Sequence, residues 1–208
     1  MLFGGLIKDK ATLDLYQYFY QFAVTVLLFL AVPAFIIKYF LGGDYSVFRT
    51  GFQYNKTALL LCAVVYPLVI ISIYFTSQQP VMQSEYPLSK LINTSWSVFI
   101  VYEIAYFFYF FSYEAFFRGY LQFGLKSENA GWREIVVILL IQTAITTLFH
   151  IGKPTTEITA AAVMGPVIGY VAIRFNSIGY ALGIHYLMNV FMDYFILSHR
   201  HILPAKFF

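Results

Sequence analysis

Charged side chains make up 11% of the 208 residues, where a soluble domain carries about 25%. That scarcity excludes a water-soluble globular fold. It also excludes a separate soluble catalytic domain, because no polar stretch is long enough to build one. The formal net charge of +3 is spread through loops without a basic cluster, so nucleic acid is not an expected partner. The single cysteine, Cys62, can form no internal disulfide and is expected to pack as a small hydrophobe within an apolar run. No HExxH is present, so the chain shows no local zinc-protease signature. Internal repeats and low-complexity segments are absent as well.

What fills the chain instead is apolar and aromatic: 60% hydrophobic residues, 21% aromatic, and a mean hydropathy of +0.71. Six apolar runs, 15–41, 57–76, 92–125, 134–151, 155–174 and 178–197, are each close to or longer than a helix needs to cross the bilayer hydrocarbon. The expected fold is all-α, a polytopic transmembrane helical bundle of about six spans with its polar core in the last four. Residues 1–208 are read as one membrane-embedded domain. Pro33 predicts a kink or break in the first run, and Pro67 lies inside the second. Residues 44–56 read as a loop. Residues 77–90, with Pro80 and Pro87, form the clearest linker, and all the candidate chemistry follows it. Basic residues outside the spans, Lys8 among them, divide evenly between the two sides, so the positive-inside rule assigns no orientation.

Glu114 and Arg118, in the stretch SYEAFFRG, lie deep in the long third run and cannot face lipid. Their i, i+4 spacing puts them on one helical face, where they can pair, either as a lock in the bundle core or as part of a site. Glu103 shares that face about 16 Å away; it reads as a supporting acid or, more simply, as an interfacial residue reaching water. His150 closes the fourth run beside a Gly152-Lys153-Pro154 break. The residues Thr155-Thr156 are expected to cap the next helix, with Glu157 as a favourable first-turn charge. On the sixth span His185, Asn189 and Asp193 recur every four residues as one polar stripe, which suits a proton path, a metal face or interhelical hydrogen bonding. Together an acid, two imidazoles and an amide from three helices suffice for hydrolysis. A carboxylate and a histidine can hold and deprotonate a water, while histidine and asparagine donate to an oxyanion. An alternative chemistry uses Glu114, His150 and His185 as three zinc ligands with water in the fourth position.

The ordered set Glu114-x-x-x-Arg118, His150, His185-x-x-x-Asn189 resembles the CAAX protease and bacteriocin-processing (CPBP/Abi) family of intramembrane proteases, which includes the Rce1-type prenyl proteases. The resemblance covers about 112–194, and the CPBP-like core is placed at about 92–197. Two positions depart from the family pattern: Tyr113 stands where the family has the first glutamate of its pair, to which the resemblance assigns water activation, and Thr146 stands at the Phe of its Phe-x-x-x-His motif. The resemblance implies an intramembrane endopeptidase whose catalytic residues are Glu114, Arg118, His150, His185 and Asn189, with Glu114 activating water together with His150, with His185 and Asn189 holding the oxyanion, and with Arg118 fixing Glu114. No cofactor is expected, zinc being the alternative. Implied partners are a membrane-protein or lipidated-peptide substrate, membrane lipids and subunits of a membrane complex, and the implied location is the cell's inner (plasma) membrane. The competing reading is a catalytically silent relative that binds a membrane partner as a subunit or chaperone.

Overall fold

The computed structural model describes residues 9–51 and 54–208; Lys8 and part of the predicted 44–56 loop lie outside them. The described residues form helices and turns. In chain order these are α1 (Lys10–Tyr39), α2 (Lys56–Thr76), the short α3 (Pro80–Glu85), α4 (Trp96–Leu125), α5 (Trp132–Leu148), α6 (Thr155–Phe175) and α7 (Gly179–His199). Five of them, α1, α2, α4, α6 and α7, are long and apolar enough to cross a membrane. Large apolar side chains on α1, α2, α5 and α6 face outward. A surface of that kind is stable against lipid and not against water, and the chain is an integral membrane protein.

The fourth predicted span is shorter than the sequence suggests. Helix α5 has 17 residues and rises about 26 Å, because it ends at Leu148 and the chain then turns through Gly152. There φ is +93°, a conformation closed to residues with a Cβ. Proline has milder effects than expected. Helix α1 runs unbroken past Pro33, and the five residues Leu27–Ala31, separated from that proline by Val32 alone, are wound as a π-helix. That wider turn absorbs the hydrogen bond the proline cannot make. Helix α2 likewise continues through Pro67.

Helix α4 begins at Trp96 rather than near 92, with Ser95 as N-cap. Its first free N–H groups, of Trp96 and Ser97, donate to the Lys206 and Phe207 carbonyls at 3.0 and 2.9 Å, so the C-terminal tail completes the cap. Aromatic rings join α1 to α4: Phe22 stacks on Tyr106 at 4.7 Å and packs with Tyr102 and Phe110. Helix α7 is central, packed against α2, α4 and α6, while α5 lies on α6. Gly119 permits the closest approach. A Cβ there would stand 2.3 Å from the Phe48 carbonyl oxygen, so a glycine lets the Tyr45–Phe48 turn dock on α4. The 77–90 linker is also structured, since Met82 and Tyr86 are buried against Ile73, Met192 and Ile196.

Candidate active site

Helical winding changes from α to π at Ala115, and the π segment Ala115–Leu121 carries Arg118. The guanidinium Nη1 donates to Glu114 Oε1 at 3.0 Å, with the two side chains 3% and 0% exposed. The same oxygen lies 2.6 Å from His185 Nδ1 on α7. A carboxylate already bonded by arginine accepts here, so Nδ1 carries the ring proton and Nε2 is left for the other side of the imidazole. Glu114 therefore joins α4 to α7 and fixes the tautomer of His185. It is bonded to His185 rather than His150, and its sealed carboxylate lines neither of the cavities described next.

A cavity of about 440 Å³ opens between α2, α5, α6 and α7; Tyr113, Arg118, His150, Glu157, His185 and Asn189 supply its polar wall. Methionines and aliphatic residues such as Met164, Ile168, Met188 and Met192 line the remainder. A second cavity, of about 330 Å³, lies on the α1 side and shares Tyr86, Tyr113, His150, Glu157, His185 and Asn189 with the first. Three residues from the sequence-predicted set, His150, His185 and Asn189, thus meet at one place although 39 positions separate the first from the last.

His150 sits just beyond the end of α5, in the turn that leads to α6. Its Nδ1 lies 2.8 Å from the Thr146 carbonyl oxygen; a carbonyl only accepts, so Nδ1 bears the proton. Nε2 then points its lone pair toward Glu157, whose Oε1 is 3.9 Å away. Glu157 stands in the first turn of α6, as the sequence reading has it, and its side chain also lines the cavity. The expected Thr155-Thr156 cap is absent: Pro154 occupies the N-cap position, and Thr156 Oγ1 donates to Gln79 Oε1 on the linker at 2.9 Å. A second tie, the ion pair of Lys153 with Glu85, anchors the linker over the site. Tyr86 hangs from that linker with its hydroxyl beside Glu157. Burial, and then the Glu157 carboxylate, push this phenol well above its ordinary range and keep it a donor. Tyr86 and Glu157 are the two polar residues the sequence reading did not place in the site; the only advance signal was that each stood beside a Pro-rich break.

Asn189 donates from Nδ2 to the His185 carbonyl at 3.0 Å, which holds the amide one turn from the imidazole. Asp193, the third member of the stripe, is turned away. Its carboxyl meets that of Glu103 on α4, and among the described residues no donor reaches any of the four oxygens. Glu103, 5% exposed, therefore does not reach water as the simpler reading expected. Tyr113, at the position of the absent glutamate, lies beneath the Arg118 guanidinium at 5.5 Å and edge-on to His185. Among the described residues no group of three or more His, Cys, Asp and Glu side chains is arranged to hold a metal ion. Glu114 is committed to Arg118 and His185 while His150 faces Glu157, so the alternative zinc set is not gathered as ligands and no step is routed through a metal. What the wall offers is two imidazoles, an amide and a carboxylate around a partly apolar chamber, a set able to activate water and to bind developing negative charge.

Residues 93–191, just under half of the chain, match the family described as type II CAAX prenyl endopeptidase Rce1-like. The match spans Glu114, Arg118, His150, His185 and Asn189, and leaves out α1, α2 and the linker with Tyr86. No curated protein and no solved structure matches the chain.

Proposed function

We propose that this chain, Rce1-like over residues 93–191 and in that region a member of the CPBP family, is an intramembrane endopeptidase of the cell's inner (plasma) membrane. Its substrate is a membrane-associated polypeptide, a membrane protein or a lipidated peptide, whose scissile bond enters the chamber beside His150, His185 and Asn189. The single observation that carries the reading is the convergence of these three side chains, with Arg118, on one cavity wall, and Glu114 directly behind. His150 presents a free Nε2 that can hold the nucleophilic water. Asn189 and His185 face the opposite need. As the tetrahedral intermediate forms, the Asn189 amide N–H and a His185 ring that has taken up a second proton on Nε2 donate hydrogen bonds to its oxyanion, and Glu114 balances the positive charge of that imidazolium. Arg118 holds Glu114 in place. Lipid surrounds the bundle and no cofactor enters the reaction.

The silent-subunit reading has one specific support, the bonding of both Arg118 and His185 to the single buried oxygen Glu114 Oε1, which a structural ion-pair cluster would also show. Co-expression with a candidate membrane substrate separates the two. If the chain is a protease, Asn189→Ala cuts turnover by about 10²–10³ while complex yield is unchanged, because the lost contact exists only in the transition state. An intact partner with both wild type and variant, together with reduced complex yield in the variant, would sink the protease reading. Cleavage in the presence of a strong metal chelator is expected to match cleavage without it.

A further inference from the structure

We infer that Glu157 is the catalytic base of this chain, taking the water-activating place that Tyr113 cannot fill; the inference rests on the protease reading. Tyr113 is a buried phenol whose hydroxyl has no hydrogen-bond partner among the described residues, and Glu114 is sealed behind Arg118 and His185. Glu157 is the one carboxylate among the described residues that lines both cavities. Its Oε2 is buried without a donor, and its sole ion-pair partner among the described residues is His150. Lys153, four positions earlier, is drawn away to Glu85.

The geometry of the pair suits a water. His150 Nε2 and Glu157 Oε1 both accept, and 3.9 Å is too far for a bond between them. A water at hydrogen-bonding distance, about 2.8 Å, from each would subtend roughly 90° at its oxygen, near the angle between its own two O–H bonds. Both protons are then engaged, and the lone pairs are left toward the chamber. In the reaction the water oxygen bonds to the peptide carbonyl carbon, one water proton passes to the Glu157 carboxylate, and the carbonyl electron pair moves onto its oxygen. As that intermediate collapses the C–N bond breaks and Glu157 returns the proton to the leaving amine. The second water proton stays with the new carboxyl group and is lost to solvent.

The test uses the full chain in proteoliposomes with a fluorogenic peptide carrying a farnesylated cysteine. Glu157→Gln is expected to lower kcat by about 10²–10⁴, with KM within threefold and the thermal midpoint in detergent unchanged. Glu157→Asp, which draws the carboxylate back by one methylene, is expected to lose at least tenfold in kcat. A Glu157→Gln variant with kcat within threefold of wild type, while Asn189→Ala is crippled, overturns the role of Glu157 and leaves the protease reading standing. If Glu157→Gln does not fold, a folded Glu157→Asp with full kcat overturns it equally. A wild type that cleaves neither this peptide nor a co-expressed membrane protein overturns both.

Discussion

At the scale of single residues, the buried pair of Arg118 and Glu114 dominates. Removing the cation leaves a carboxylate with 0% exposure facing only an imidazole, whereas converting the acid to its amide keeps an acceptor for both donors. Arg118→Ala is thus expected to destabilise by about 3–5 kcal/mol and Glu114→Gln by about 1–2 kcal/mol. Thermal unfolding of both variants in detergent checks this, and equal losses would argue against the pair. The opposite sign is expected at Glu103 and Asp193, two carboxyls in contact without a donor. Asp193→Asn supplies one, and is expected to be neutral or stabilising by about 1 kcal/mol in the same measurement. Sequence spacing shows that Glu114 and Arg118 share a face and that His185 and Asn189 do too. It does not show which way a side chain leaves its helix across a helix–helix seam, so the i+4 stripe ending at Asp193 reads as one surface when it is two.

At the scale of elements, the π segment of α4 and the glycine within it decide how the helix meets its neighbours. Gly119→Ala would drive a methyl into the Phe48 carbonyl, backbone that cannot rotate away. The expected loss is about 1–3 kcal/mol, read as a lower unfolding midpoint. Helix number and order were legible because apolar runs of about 20 residues can mean little else. Local windings were not: the π turns at Leu27–Ala31 and Ala115–Leu121 are set by tertiary contacts as much as by proline. The linker was the larger miss. Two prolines and several polar residues mark it as irregular, yet they do not reveal that Met82 and Tyr86 fold inward or that Gln79 and Glu85 fasten it to the start of α6. That Glu157, besides being a first-turn charge of α6, lines the chamber was not legible for the same reason, since its partner His150 and its neighbour Tyr86 arrive from a turn and a linker whose paths no periodicity describes.

At the scale of the whole molecule, the chamber is enclosed by parts of unlike origin. Its reactive wall comes from α4 to α7, within or beside the Rce1-like stretch 93–191; α2 and the linker supply the facing wall with Val65, Leu68, Ile73, Met82 and Tyr86. A chain reduced to residues 91–208 is therefore expected to keep its helices, by circular dichroism in detergent, and to lose all cleavage of the farnesylated reporter. On the proposed protease reading the Rce1-like stretch carries the reacting groups, whereas the facing wall that a substrate's flanking residues would press against is encoded upstream of it. Chimeras between relatives would accordingly behave in two ways: exchanging 93–191 would transplant the chemistry, and exchanging 56–90 would change which polypeptides are admitted to it.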